Sequence, residues 1–254
     1  MATIPNILSI AGFDPSGGAG VLADIKTAEA NGVYACGVMT SLTYQNDVDF
    51  EDVDWLNTEH IIRQIHVLQK RISFSAIKIG LISDIKALQT IVSYVQETCP
   101  DAPIIWDPIL AASSGFEFHK EEASENWFAV LKEITLITPN RPEAQQIFKT
   151  DDETSIRRMI ANKFLSNVLI KGGHSDNDQC NDILITASEK YTFKGTRLND
   201  YQKHGTGCIL STAISCNLAK GMSIIEACRK GKDYVTKAIA SNDGYLAYHS
   251  IPCN

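Results

Sequence analysis

The stretch ILSIAGFDPSGGAG, Ile7 to Gly20, decides how the chain is read. Its first part, Ile7–Ala11, is a short apolar run with β-branched residues, the mark of a buried strand. Gly12 to Gly20 is a glycine-rich loop, and Gly20–Asn31 behind it reads as a helix. The alternation continues outward from there. Gly37–Thr43 reads as a second strand, and Thr58–Lys70 places Ile61, Ile62, Ile65 and Leu68 at helical spacing. Ala76–Gly80 is a strand, and Asp84–Glu97 a helix with Asp84 as its cap. Ile104–Pro108, Leu136–Asn140 and Asn167–Lys171 are three more strands, with helices between them near Glu121–Lys132 and Thr154–Phe164. Strands that are apolar on both faces predict an α/β fold, a mainly parallel central sheet with helices on both faces. Near residue 180 the pattern changes: Asp182–Ala187 and Glu189–Phe193, joined by a tight turn, predict an antiparallel edge hairpin. Helices over Thr206–Lys220 and Ser223–Asn242 close the chain. With no linker, repeat or low-complexity stretch, residues 1–254 read as a single domain.

A chain of 254 residues can bury a large core without disulfides or a structural metal. Its net charge of -7 repels polyanions, which argues against nucleic acid as a partner. A small phosphate site remains open to it, because backbone N–H groups and a few cations suffice. The seven cysteines make no C-x-x-C pair and read as reduced thiols. The first apolar run is too short for a signal peptide and ends at Asp14, and no segment is long enough to span a bilayer. The expectation is a cytoplasmic protein with no membrane partner.

Two loops carry the chemistry. In the first, Gly18 to Ala23 also satisfies G-x-G-x-x-A, which raises the alternative of a Rossmann oxidoreductase. That fingerprint expects an acidic residue at the end of the next strand, where the chain has Thr43 to Asn46. Neither loop fits the Walker pattern G-x-x-x-x-G-K-[ST]. The second loop, HGTGC from His204 to Cys208, opens a helix. Gly205, Thr206 and Gly207 give a turn whose N–H groups can converge, and the helix behind adds its positive end. Such a nest suits charge developing on a transferring phosphoryl group. Cys208 lies in the first turn, where a thiol pKa is expected to fall, so it can accept a hydroxyl proton. The plainer alternative is a glycine turn followed by a buried cysteine.

Taken in order, these stretches resemble the ribokinase-like vitamin kinases, and most closely the hydroxymethylpyrimidine/phosphomethylpyrimidine kinases. The resemblance runs through Ser9 to Gly20, ADIKT from Ala23 to Thr27, Gln45 with Asn46, and KIG from Lys78 to Gly80. It continues through Asp107-Pro108, Ser114-Gly115, TPN from Thr138 to Asn140 with Glu143, KGGH from Lys171 to His174, and HGTGC. It implies ATP-dependent phosphorylation of 4-amino-5-hydroxymethyl-2-methylpyrimidine and of its monophosphate, in thiamine synthesis. By the same resemblance Gly205, Thr206 and Gly207 form the anion hole and Cys208 is the base. Glu143 and Asp107 organise Mg²⁺ around the ATP phosphates, Asn140 and Lys171 lie near the nucleotide, and Gly12, Asp24 and Gln45 hold the pyrimidine. A homodimer is compatible with the family, without an interface to point to.

Each assignment has a structural alternative. Asn140 and Glu143 can cap a helix. Asp107 can be a turn residue before proline, Lys171 a surface lysine, Gln45 a polar loop residue, and Asp24 a solvated carboxylate in a first helical turn. Tyr44 stands where the family carries a small residue, and Ser113 where it carries lysine or threonine, so both bear on substrate choice. A pyridoxal or pyridoxine kinase of the same fold is the nearest rival; a non-catalytic protein that keeps the pocket is another. Residues Phe116–Ser124, after Ser114-Gly115, are the expected lid.

Overall fold

The computed structural model describes residues 4–111, 115, 118, 126–163, 165–174, 179–198 and 203–249. Ser113, Ser114 and all of the expected lid except Phe118 lie outside these residues. The elements in order are β1 (Asn6–Phe13), α1 (Gly20–Ala30), β2 (Tyr34–Gln45), β3 (Phe50–Trp55), α2 (Thr58–Gln69), β4 (Ala76–Ile79) and α3 (Ile85–Thr98). They continue with β5 (Ile104–Trp106), α4 (Asn126–Leu131), β6 (Leu136–Ile137), α5 (Arg141–Phe148), α6 (Glu153–Lys163) and β7 (Asn167–Ile170). A 3-10 turn at Gly172–His174, β8 (Asp182–Ile185), β9 (Lys190–Phe193), α7 (Thr206–Ala219) and α8 (Ile224–Ile239) complete them.

Among the described residues, all the strands join one sheet in the order β3-β2-β1-β4-β5-β6-β7-β8-β9. β2, β1, β4, β5, β6 and β7 run parallel, and the expected hairpin β8–β9 adds antiparallel at one edge. The other edge is antiparallel too, because β3 turns back along β2. Sequence reading missed β3. Its residues FEDVDW carry three acids and lack the apolar run of a buried strand, as befits an edge that must not pair further.

Alternation along the strands sorts the core into two layers. Leu8 and Ile10 of β1 and Ile77 and Ile79 of β4 pack with α2, α3, α4, α5 and α6 on one face. Ile7 and Ala76 point the other way, toward α1, α7 and α8. Each face is therefore apolar at every second residue, and the strands read as continuous apolar runs. The helices begin where their caps place them: Asn57, Asp84, Asn140 and Ser223 each accept a first-turn N–H. The helix expected over Glu121–Lys132 is described from Asn126 onward. No helix among the described residues is long and apolar enough to cross a membrane.

Candidate active site

The parallel strands all end on one side, and ligands in open α/β sheets bind beyond those carboxyl ends. A cavity of about 660 Å³ lies there, within the range of small-molecule sites. Gly12, Gln45, Asp107, Asn140, Glu143, Lys171 and Gly205 to Cys208 all line it.

The loop that opens α7 is held by two glycines that pack the loops against each other. Gly205 caps α7 with φ +74°, and an added Cβ would overlap the Gly18 carbonyl. Gly20 opens α1 with φ +59°, and a Cβ there would overlap the Gly12 carbonyl. Only glycine combines a left-handed backbone with so close an approach. The cap of α7 makes no side-chain hydrogen bond, so the N–H groups of its first turn remain for a ligand.

Asp14, which sequence reading passed over, ties the loops together. Its carboxylate accepts the backbone N–H groups of Ser16 and Ala19, each at 2.8 Å, and lies 3.0 Å from His204 Nε2. Burial pushes its pKa up, but His204, Ser16 and Ala19 outweigh that and hold the carboxyl below its ordinary value. The available signal was an Asp followed two residues later by Ser, an Asx-turn pattern.

Opposite the loop sits a carboxylate–lysine cluster. Asp107, just past β5, accepts Lys171 Nζ at 2.7 Å and Thr138 Oγ1 at 3.0 Å. Lys171 also lies 3.6 Å from Glu143. Burial acts to raise Asp107, but Lys171 and Lys78 together bring it below the usual carboxylate range. Glu143 is raised by burial, with Lys171 opposing and Asp107 adding to the rise. Lys171 is disfavoured by burial yet held above its ordinary value by Asp107 and Glu143, so it is no free surface lysine. Asn140 and Glu143 form a full capping box at the start of α5 while both line the cavity, so the structural alternative and the site coexist.

Three expectations need correction. Asp24 is not among the residues that line the cavity; it is fully buried and paired with Lys78 at 2.8 Å. Tyr44 points away from the site, because Thr43 and Gln45 occupy the inward positions of β2; its hydroxyl donates to Asp54 at 2.7 Å. The Cys208 pKa does not fall. Burial pushes the thiol up to about 11; Lys78 lowers it, Asp24 and Asp107 raise it, and the Gly20 N–H lowers it. The helix end is outweighed because the side chain is only 3% exposed.

Sequence reading also missed the wall supplied by β3 and beyond. Val48, Asp49 and Phe50 line the cavity, and Phe118 meets Phe50 edge-on with ring centroids 5.1 Å apart. Nothing local marks such residues as site residues, since the return of β3 along β2 is what brings them there.

A glycine-capped helix start and a cavity of small-molecule size, sharing the carboxyl edge of one mostly parallel sheet, are the construction of the ribokinase-like class. The comparisons narrow that class. Residues 14–252 match the family described as phosphomethylpyrimidine kinase. The hydroxymethylpyrimidine/phosphomethylpyrimidine kinase of Streptomyces coelicolor is 36% identical over 245 residues, 94% of this chain and 90% of that one. The phosphomethylpyrimidine kinase structure from Clostridium difficile 630 is 34% identical, with TM-score 0.77 over 92% of this chain and 99% of that one. The pyridoxal kinase of Bacillus subtilis, solved as an ADP complex, is 25% identical, with TM-score 0.85 over 98% of both chains. The chain belongs to the phosphomethylpyrimidine kinase family and is a phosphotransferase.

Proposed function

We propose that the protein transfers the γ-phosphoryl group of ATP to the hydroxymethyl group of 4-amino-5-hydroxymethyl-2-methylpyrimidine, and then phosphorylates the resulting monophosphate, in thiamine synthesis. One observation carries this reading: the uncapped first turn of α7, with Cys208, faces the same cavity as Gln45 and the Asp107–Lys171–Glu143 cluster. The substrate hydroxyl oxygen attacks the γ-phosphorus, the bond from that phosphorus to the β–γ bridging oxygen breaks, and ADP leaves with the electron pair. Cys208, as thiolate, takes the hydroxyl proton. The N–H groups of Gly205 to Cys208 meet the charge that develops on the phosphoryl oxygens.

Among the described residues no cluster of three or more His, Cys, Asp or Glu gathers. Asp107, just past β5, and Glu143, in the first turn of α5, are among the carboxylates that line the cavity, side by side about Lys171. That donor set fits Mg²⁺, which keeps waters and phosphate oxygens and needs only one or two carboxylates. A bound Mg²⁺ would offset charge on the ATP phosphates. Lys171, already between the two carboxylates, adds a second positive group on that side.

At the ring end, Gln45 Nε2 donates to Thr43 Oγ1 at 2.7 Å, which orients the amide. Its carbonyl oxygen is the acceptor offered to the exocyclic amine of the pyrimidine. Gln45→Ala should raise KM for the pyrimidine about tenfold, the equivalent of one lost hydrogen bond of ~1.4 kcal/mol. Tyr44→Ala, on the far side of the strand, should leave KM within about twofold. Steady-state kinetics of the two variants side by side check both statements.

Phosphorylation of pyridoxal is the second reading, favoured by the TM-score of 0.85 to the Bacillus subtilis pyridoxal kinase. ADP release with Mg-ATP and each ring separates the readings. Turnover of the pyrimidine supports the first, and turnover of pyridoxal alone moves the substrate. With neither turned over and neither bound, the proposal fails.

A further inference from the structure

On the α1–α7 face of the sheet lies a charge cluster outside the cavity. Lys78 sits in β4, a strand buried along its length, and is itself 0% exposed. A lysine is almost never buried unless paired. Its Nζ lies 2.8 and 3.1 Å from the two carboxylate oxygens of Asp24 in α1. Asp24 also accepts Ser9 Oγ at 2.5 Å and Thr212 Oγ1 at 2.7 Å. Ser9 is the β1 residue beside Lys78 in the sheet. Thr212 follows Cys208 by one turn of α7, so the two side chains lie on the same face of that helix. Buried ion pairs are often matched in stability by apolar residues of similar volume, so stability alone does not account for this one.

We propose that Lys78 is a positioning residue for phosphoryl transfer: its ammonium, held in place by Asp24 and Thr212, favours the ionised form of Cys208. The inference rests on the reading of Cys208 as the proton acceptor. The charged groups acting on that thiol come from each element around it: Lys78 from β4, Asp24 from α1, Asp107 at the end of β5 and Lys171 at the end of β7. The Asp14–His204 pair stands in the adjoining loops. Burial opposes ionisation most, and Lys78 is the largest influence in its favour, ahead of the opposing carboxylates Asp24 and Asp107. Without Lys78 the thiol would titrate higher still. Without the Asp24 charge it would titrate lower.

That sign difference makes the test. Alkylation of Cys208 by iodoacetamide, read by peptide mass mapping from pH 7 to 10, reports its thiolate fraction; ADP release over the same range reports turnover. Lys78→Met should slow alkylation about tenfold at a given pH, equivalent to roughly one unit of upward shift from loss of a nearby opposite charge. Asp24→Asn should speed it. Because Lys78→Met leaves a buried carboxylate without its cation, Lys78→Met/Asp24→Asn keeps the site neutral and well filled. It should still react more slowly than the unchanged protein, since the larger of the two influences is lost. If both single variants slow alike with an unmoved pH profile, or the double variant keeps the parent profile, the pair is scaffolding and the inference is overturned. Alkylation needs no substrate turnover. Shifted alkylation in a protein that phosphorylates neither ring would uphold the action of Lys78 on the Cys208 thiol but overturn its role in phosphoryl transfer together with the proposed function.

Discussion

Cys208→Ala should lower turnover by about 10²–10⁴-fold, the scale of a lost general acid–base group. Alanine leaves the backbone of Gly205, Thr206 and Gly207 in place, so the anion site survives and the loss falls on proton transfer. The pH dependence carries the sharper information. The thiol is pushed up to about 11 by burial, so only a small fraction is thiolate at neutral pH. That fraction grows tenfold for each pH unit below the pKa, and turnover of the parent should climb with pH through the alkaline range. The variant should lack that climb. ADP release measured from pH 7 to 10 decides it, and a variant with the parent's rate and slope would remove Cys208 from the mechanism.

Gly205→Ala is the second large effect, and it acts through the backbone. At φ +74° an alanine is strained, and its Cβ would overlap the Gly18 carbonyl of the neighbouring loop. The two loops cannot both keep their places. The first turn of α7 must shift away from the position proposed for the phosphoryl group, and loss of such a donor should cost about 10²–10³-fold in kcat. Stability should fall by about 1–3 kcal/mol from the strained residue. Denaturant unfolding and steady-state kinetics separate the two losses. A variant of ordinary stability and unchanged kcat would mean that the loop-to-loop contact has no part in catalysis.

The place of these two residues at a helix start was legible in the sequence because that feature is local. A glycine pair before an apolar helical run states a helix start with an open N-terminus, whatever surrounds it. Strand and helix alternation was legible for the same reason: each strand buried on both faces must be apolar throughout, and each amphipathic helix shows its own period. The capping box of Asn140 and Glu143 lies within four residues and could be read directly.

Residues whose surroundings are set by distant segments could not be read so. Asp24 and Lys78 are 54 positions apart, and only the pairing of β1 with β4 beneath α1 and α7 makes them an ion pair. In the sequence Asp24 is one acid in a first helical turn and Lys78 one lysine near a strand end. A charge inside the otherwise apolar run AIKI was a signal of burial, but it named no partner. The side of the sheet that Tyr44 faces depended on the register of β2 against β3. The direction of the Cys208 pKa depended on how completely the side chain is removed from water, a property of packing.

The sequence by itself determined the α/β class, the two glycine loops and the cavity-lining groups that follow strand ends, because backbone conformation and hydrophobic period are written within a few residues. The tertiary structure alone decided which charges neutralise one another, which face of β2 meets the cavity and how hard the Cys208 thiol is to ionise. Those depend on distance and dielectric between segments far apart in the chain, and electrostatic energy is governed by both.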